Sequence, residues 1–254
     1  MARTVRVVVQ ARMNSSRLPG KIMAPLAGRP MLAQVVGRLE AAGQLTSEVG
    51  STRWEVLVAT STARDDGATQ GLCRELRVAC FRGPEDDVLA RYVAASEDLA
   101  DDDLVVRATA DNPLYCPRRT ASIVAEHLRT GADYTCIENL SYVVPEVMRA
   151  GALRAMARLA TDAHCREHVT PFFRRTPDRF RVRQLPPSWK GLRPDIRLTV
   201  DTQAEHERMA WIFERLGVDG PLFSLDDVYA LCDGHGTLET CATECYRRSS
   251  SSAR

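Results

Sequence analysis

Short Val-rich apolar runs alternate with amphipathic stretches along the first half of the chain. Four runs have the length and composition of buried strands, at residues 5–9, 55–59, 78–81 and 104–107. Between them, Pro30 opens a predicted helix that Gly43 ends, and Pro84 opens a second helix with carboxylates in its first turn. This alternation predicts βα units around a mostly parallel sheet, with ligands bound at the carboxyl ends of the strands.

The alternation is looser after about residue 118. Periodicity predicts helices over residues 118–130, 151–159, 165–175 and 204–216, and strands over residues 133–136, 180–184 and 197–200. Ser224 followed by Asp227 has the spacing of a capping box for one more short helix. Because no repeat and no Pro/Gly-rich linker interrupts the chain, we expect a single domain over residues 1–231. Residues 232–254 are predicted to form a Cys-containing, partly disordered C-terminal tail.

The composition is that of a soluble globular protein, with 44% hydrophobic and 26% charged residues. A net charge of +1 provides no overall field for a polyanion, so any basic site must be a local cluster. No stretch has the length of a secretory signal or of a membrane span, which needs ~20 apolar residues. We therefore expect a cytoplasmic protein that binds neither nucleic acid nor membrane, and whose eight cysteines stay reduced.

A basic loop follows the first predicted strand, where residues 10–21 read QARMNSSRLPGK. The cations Arg12, Arg17 and Lys21 and the hydroxyls of Ser15 and Ser16 lie where backbone amides and charges can converge on phosphates. Only 2 of the 34 basic residues are lysines, so a retained lysine indicates a need for a compact ammonium group. The spacing matches neither common phosphate-binding loop, and a solvated loop that is basic by chance is the alternative.

This loop belongs to the first of six sequence blocks, residues 10–32. The others are residues 58–62 (VATST), 81–92 (FRGPEDDVLARY), 107–114 (RATADNPL), 166–171 (REHVTP) and 198–202 (LTVDT). In this order, over residues 5–215, they resemble the cytidylyltransferases that activate acidic sugars. The resemblance is to the spore coat polysaccharide biosynthesis branch in particular, which is related to the CMP-Kdo and CMP-sialic acid (acylneuraminate) synthetases.

The resemblance implies a Rossmann-like, three-layer α/β nucleotide-diphospho-sugar transferase fold with a mixed, mostly parallel sheet. It implies a nucleotidyltransferase that moves CMP from CTP to an acidic sugar or related acidic acceptor and releases pyrophosphate. Mg²⁺ is the implied cofactor and a homodimer the implied assembly. Arg17 and Lys21 are the implied catalytic residues. The nucleotide-binding residues carried over are Ala11, Arg12, Ser15, Ser16, Arg17, Lys21, Thr60, Arg82 and Asp111.

The same resemblance assigns the metal to Asp111 and Asp201. Each aspartate follows a predicted buried strand, so two rigid elements could bring two carboxylates to one hard cation that also binds substrate phosphate. Considered without the resemblance, Asp111 fits an Asx turn ahead of Pro113, and Asp201 fits a helix N-cap.

The acceptor side departs from the family pattern. Residues 141–147 read SYVVPEV, where the family usually carries a glycine and an acidic residue before the glutamate. Glu146, Arg166 and His168 are the predicted acceptor-binding residues, Arg166 because a guanidinium binds a carboxylate, phosphate or phosphonate with two hydrogen bonds. A non-sugar acceptor such as a phosphonate therefore stays open. Asn14 replaces a family glycine in the loop, and asparagine tolerates the left-handed conformation expected there.

Two other functions fit parts of the sequence. A glycosyltransferase of similar topology would consume a nucleotide sugar and release a nucleoside diphosphate, and it has less need for three cations on a triphosphate. A catalytically silent nucleotide-binding protein is the second alternative. Retention of the cations and carboxylates of the predicted site, Arg12, Arg17, Lys21, Asp111 and Asp201, argues against it.

Two metal-like patterns stand apart from this scheme. Residues 164–168 spell the H-x-x-E-H motif of inverted zinc peptidases, but they overlap the REHVTP block, so coincidence is the better interpretation. Cys232, His235, Cys241 and Cys245 are residue types that bind structural zinc, with a spacing of no standard zinc finger. We expect free thiols there, with zinc as the alternative.

Overall fold

The Val-rich run near the N-terminus forms an interior strand of a seven-stranded sheet. The computed structural model describes residues 2–46, 52–138, 140–217 and 222–234. The strands are β1 (Arg3–Gln10), β2 (Pro25–Leu26), β3 (Arg29–Pro30), β4 (Thr52–Ser61), β5 (Ala79–Gly83), β6 (Leu104–Thr109), β7 (Tyr134–Ile137), β8 (Glu146–Arg149) and β9 (Val182–Leu185). The sheet order is β5-β4-β1-β6-β8-β7-β9, and β2 and β3 form a separate hairpin. Only β8 runs antiparallel within this described sheet, which confirms the mixed, mostly parallel α/β class.

Helices cover both faces of the sheet. They are α1 (Met31–Thr46), α2 (Gly67–Leu76), α3 (Val88–Ala94), α4 (Pro117–Thr130), α5 (Ala150–Leu159), α6 (Ala163–His168), α7 (Pro171–Arg175), α8 (Gln203–Leu216) and α9 (Leu225–Asp233). Val5, Val7 and Val9 pack with α1, α4, α8 and α9, whereas Val8 packs with α3, α5, α6 and α7. Burial on both faces explains why β1 is an uninterrupted apolar run. Across the described ranges, no helix has both the length and the apolar character needed to cross a membrane.

Most predicted helices are confirmed, α4, α5 and α8 to within one residue at each end. The predicted end of α1 is wrong, because the helix continues through Gly43 to Thr46. A Cβ atom at Gly43 would lie 2.4 Å from the Trp54 ring. This glycine therefore permits close packing of the helix on β4, and does not terminate it.

A predicted boundary, a predicted strand and an unpredicted strand also differ from the structure. Helix α3 starts at Val88, since the Asp87 carboxylate accepts the Ala90 amide and caps the helix there, at 2.8 Å. Residues 197–200 join neither of the described sheets, and the Val200 amide donates instead to the Asp111 carbonyl, at 2.9 Å. Strand β8 lies partly in residues 141–147, which the sequence assigned only to an acceptor pocket.

The predicted helix over residues 165–175 is broken into α6 and α7 by a tight turn. Pro171 begins α7, and its ring and missing N–H prevent α6 from continuing through it. Val169 has φ 68° and ψ −63°, and the Thr170 amide donates to the His168 carbonyl at 2.8 Å. These values define a γ-turn with positive φ, which is rare and strained, above all for a β-branched residue.

The start of the predicted tail belongs to the fold. Ser224 and Asp227 form the predicted capping box at the start of α9, which runs to Asp233. Cys232 is therefore buried on the inner face of this helix, where it packs against the core. His235, Cys241 and Cys245 lie outside the described residues, so free thiols in the tail stay the prediction and zinc stays the alternative.

His127 is buried in α4 and gives the fold a dependence on pH. Its Nδ1 lies 2.8 Å from Thr135 Oγ1, and burial, the main cause, lowers its pKa to about 4. An unfolded histidine titrates near 6.5, so between pH 6.5 and pH 4 the unfolded chain binds a proton that the folded chain does not. The free energy of unfolding therefore falls as the pH falls from 6.5 towards 4. We expect a loss of about 2 kcal/mol between pH 7 and pH 5. Urea unfolding of wild type and His127→Gln measures it, and an equal pH dependence in both would contradict the assignment.

Candidate active site

The basic loop after β1 is held in shape by hydrogen bonds across its base. The Gly20 amide donates to the Met13 carbonyl at 2.9 Å, and Gly20 has a φ of 72°, which glycine adopts without strain. Asn14 is not among the left-handed residues, so the expectation placed on it is wrong. The buried Asp66 carboxylate accepts the Met13 amide at 2.6 Å and the Ser61 amide at 3.0 Å. These bonds fix the loop against the end of β4.

Lys21 joins the two predicted metal ligands. It begins a short 3-10 helix (Lys21–Met23) and is only 8% exposed. Its Nζ lies 3.1 Å from Asp111 Oδ2, 3.0 Å from Asp201 Oδ1 and 2.7 Å from the Val200 carbonyl oxygen. Three hydrogen bonds use all the donors of an ammonium group. The structure thus brings three residues distant in sequence to one point.

Asp201 is surrounded by more positive charge than this lysine alone. Arg17 Nη2 lies 2.9 Å from Asp201 Oδ1, and Arg197 Nη2 lies 3.1 Å from Oδ2. Burial acts to raise the pKa of Asp201, but the hydrogen bond and charge of Lys21, with Arg17 and Arg197, hold the pKa below its usual value. Asp201 is therefore ionised at neutral pH.

A cleft of about 520 Å³, the first cleft, opens over this cluster. Arg12, which also lines it, makes no hydrogen bond or ion pair with any residue in the described ranges, so its guanidinium is free to bind an anion. The lining contains most of the predicted site: Ala11, Arg12, Ser15, Ser16, Arg17, Lys21, Asp111, His168 and Asp201.

Thr60 and Arg82, predicted for nucleotide binding, do not line the first cleft. Thr60 is fully buried in β4. Arg82 donates from Nε to the Ser61 carbonyl at 3.0 Å and from Nη2 to the Ala63 carbonyl at 2.6 Å. These bonds tie β5 to the segment after β4, and contact of Arg82 with a nucleotide stays a prediction.

A second cleft, of about 470 Å³, adjoins the first. Arg107, Ser141 and His168 line both clefts, so the two clefts share a wall. The wall of the second cleft also contains the predicted acceptor residue Glu146, together with Glu138, His164, Thr170, Arg174 and Gln184.

Glu146 is a buried carboxylate surrounded by donors. Arg107 Nη1 lies 2.9 Å from Oε2, Arg174 Nη1 lies 3.1 Å from Oε1, and Thr170 Oγ1 lies 3.1 Å from both oxygens. The Tyr134 hydroxyl also donates to Oε1. Burial acts to raise the pKa of Glu146, but the Arg107 charge, the Tyr134 hydrogen bond and Arg174 lower it below its usual value.

The third predicted acceptor residue, Arg166, does not line either cleft. Its Nε donates to Asp87 Oδ2 at 2.9 Å, its Nη2 contacts the same oxygen, and its Nη1 donates to the Ala157 carbonyl at 3.3 Å. Because Asp87 caps α3, this ion pair fastens α6 to α3. The structure therefore engages the Arg166 guanidinium in holding two helices together, outside the lining of both clefts, and contact of Arg166 with an acceptor stays a prediction.

Four residues of the site were not singled out from the sequence: Asp66, Arg107, Arg174 and Arg197. The sequence did contain a signal for Arg107, because this residue begins the RATADNPL block four residues before Asp111. Asp66 and Arg174 act on partners 53 and 28 residues away, and no local pattern predicts such contacts.

The carboxylate oxygens around Lys21 are suitable ligands for a hard divalent cation. Asp111 and Asp201 both approach one Nζ within 3.1 Å, so their oxygens are close enough to share a cation. No group of three or more His, Cys, Asp or Glu side chains that could hold a metal occurs in the part of the chain that the structure describes. Two carboxylates, completed by substrate phosphate and water, are a usual environment of Mg²⁺.

A basic loop at the carboxyl end of β1, with two carboxylates converging beside it, is an arrangement suited to nucleotidyl transfer. The chain belongs to the cytidylyltransferase family, which residues 6–228 match, and this confirms the resemblance found in the sequence. Over 212 residues it is 31% identical to the spore coat polysaccharide biosynthesis protein SpsF of Bacillus subtilis (strain 168), covering 83% of this chain and 86% of that protein.

Two solved structures share the fold. A cytidylyltransferase from Leptospira borgpetersenii superposes with a TM-score of 0.81 at 22% identity, covering 93% of this chain and 96% of that one. A CMP:2-keto-3-deoxy-manno-octonic acid synthetase complexed with CTP superposes with a TM-score of 0.60 at 16% identity, covering 84% and 99%. These similarities confirm the three-layer nucleotide-diphospho-sugar transferase fold.

Proposed function

We propose that this enzyme transfers CMP from CTP to a small acidic acceptor, with Mg²⁺ held by Asp111 and Asp201. The observation that carries the proposal is the convergence of both carboxylates on Lys21 in the wall of the first cleft. A cation for phosphate and ligands for a metal then lie side by side. The similar synthetase that was determined with CTP supports CTP as the donor, and its acidic sugar supports an acid as acceptor.

The proposed reaction is a nucleotidyl transfer at the α-phosphorus of CTP. An acceptor oxygen attacks in line, the bond from that phosphorus to the α–β bridging oxygen breaks, and the acceptor proton and pyrophosphate leave. Negative charge grows on the phosphate oxygens, so Lys21 and Arg17 stabilise the transition state from the loop. Mg²⁺, when bound, supplies further positive charge to those oxygens.

Arg17 is suited to move from its carboxylate partner to a phosphate. Its side chain is 61% exposed, although its Nη2 bonds Asp201 at 2.9 Å. Only the arginine of this pair is exposed, and Asp201 keeps Lys21 and Arg197 as partners, so a triphosphate can replace Asp201 as the partner of Arg17. Arg12 lines the same cleft and provides a second guanidinium for the phosphates.

Pyrophosphate release tests the proposed function. Purified protein is incubated with CTP, Mg²⁺ and a panel of acidic sugars and phosphonates, and pyrophosphate and the CMP-linked product are measured. We expect release that requires both CTP and one acid of the panel. A nucleoside diphosphate formed from a nucleotide sugar, with no pyrophosphate from CTP, would establish the glycosyltransferase alternative. CTP binding without turnover of any panel member would favour a silent nucleotide-binding protein.

The predicted homodimer and cytoplasmic location belong to the same proposal. CTP as a substrate is consistent with an enzyme that works in the cytoplasm. Light scattering of the purified chain tests the assembly, and a monomer at micromolar concentration would contradict the dimer.

A further inference from the structure

We propose that Arg107 and Arg174, positioned by Glu146, recognise the acid group of the acceptor in the second cleft. This inference rests on the proposed function, since it names the residues that select the acceptor. It also changes the role of Glu146, which the sequence predicted as an acceptor-binding residue. In the structure this carboxylate is a counter-ion that holds two guanidinium groups at the cleft wall.

Glu146 has no hydrogen-bonding capacity left for a ligand. Its two oxygens receive four donors, from Arg107, Thr170, Arg174 and Tyr134. A carboxylate offers about four lone-pair sites, and the residue is 4% exposed. A sugar hydroxyl that approaches Glu146 would therefore have to displace a donor that the protein already supplies.

The two arginines keep unused donors. In the described part of the chain, Arg107 Nε is buried without a partner, and its side chain reaches both clefts. Arg174 uses only Nη1, for Glu146 and the Tyr134 hydroxyl, and its side chain is 43% exposed. Glu146 balances only one of the two guanidinium charges, so an acid on the ligand can pair with the other, although the exposed Glu138 also lines this cleft.

The rest of the second cleft suits a hydroxylated ligand. Glu138 and Gln184 line it and are exposed, so they can bond hydroxyl groups from the solvent side. The imidazoles of His164 and His168 stand together on α6, with ring centroids 4.5 Å apart. Arg107 and His168 also border the first cleft, so an acid bound here lies beside the CTP site. The ligand class is therefore a small polyhydroxylated acid.

The strained turn between α6 and α7 indicates that the second cleft is a functional site. His168 and Thr170 flank Val169, and through the turn both line the second cleft while Thr170 bonds Glu146. Non-glycine residues with such dihedrals persist where surrounding contacts hold them, and they cluster at functional sites.

The experiment compares binding of an acid with binding of its neutral ester. The probes are 3-deoxy-manno-octulosonate and N-acetylneuraminate, each beside its methyl ester, measured by saturation-transfer NMR with CTP present. We expect at least one acid to bind 10-fold or more tightly than its ester. Arg174→Gln should remove this preference, whereas an interaction that is only structural would lower the melting temperature and leave the preference intact.

Arg175→Gln is the matched control. Arg175 is next to Arg174 on α7, pairs with Asp162 at 3.5 Å and lines neither cleft, so its variant should keep the preference. The inference is overturned if neither acid binds, if acid and ester bind alike, or if Arg174→Gln keeps the preference. Pyrophosphate release is assayed separately: acid preference without release rejects only the proposed function, and release with no dependence on Arg174 rejects only this inference.

Discussion

Replacing Lys21 by methionine is expected to lower kcat by about 100-fold or more, because the ammonium acts on charge that develops in the transition state. Methionine keeps the apolar stem of this largely buried side chain, so the loss is confined to the charge and its three hydrogen bonds. Steady-state kinetics with CTP and the acceptor found by pyrophosphate release measure the effect. A kcat within twofold of wild type would reject Lys21 as a catalytic residue.

Lys190→Met is the control, since Lys190 is the other lysine of the chain. It is exposed, its Nζ bonds Ser122 Oγ at 3.2 Å, and it lines neither cleft. Its variant should match wild type in both kcat and the KM for CTP. An equal loss in both lysine variants would point to a general effect of removing positive charge.

Replacing Asp201 by asparagine is expected to raise the Mg²⁺ concentration for half-maximal activity at least about 10-fold and to lower kcat about 100-fold. The change also leaves Lys21, Arg17 and Arg197 with one negative charge fewer, so the cluster loses both a metal ligand and its charge balance. Asp111→Asn should act in the same direction. Normal magnesium titrations in both variants would place the metal elsewhere.

Binding of Mn²⁺, followed by electron paramagnetic resonance, gives a readout independent of turnover. We expect Mn²⁺ to bind the CTP complex of wild type and to bind more weakly in both aspartate variants. Asp195→Asn is the control, because Asp195 is exposed on the same segment and pairs with Arg193 at 2.6 Å, outside the lining of both clefts.

The sequence predicted the elements that local periodicity determines. Strand β1 and helices α4 and α8 form where apolar positions repeat, because those repeats match the faces that pack in the core. The turn at Val169 is followed by a bond from Thr170 to Glu146, and residues 197–200 bond to Asp111 and not to a strand, so both depend on contacts with distant segments. Periodicity carries no information about such contacts, so these two predictions failed.

The candidate site shows the same division. Residues of the loop could be predicted because its cations, hydroxyls and turn residues are contiguous in the sequence. The partners of Glu146 come from three other elements, β6, β7 and α7, and from the turn that carries Thr170. Only the fold shows that these donors saturate the carboxylate, and therefore that Glu146 differs in role from Arg174 beside it.

The turn at Val169 lowers the stability of the fold but preorganises the wall of the second cleft. A non-glycine residue in this conformation costs on the order of 1–3 kcal/mol, which burial of the Val169 side chain and the bonds of Thr170 must offset. The wall of the second cleft is thus rigid before a ligand arrives, and less ordering is needed when the ligand binds. A glycine at this position would relax the backbone but release His168 and Thr170 from their fixed relation. In the acceptor site that we propose, the easier backbone would therefore come with less selective binding of the acid.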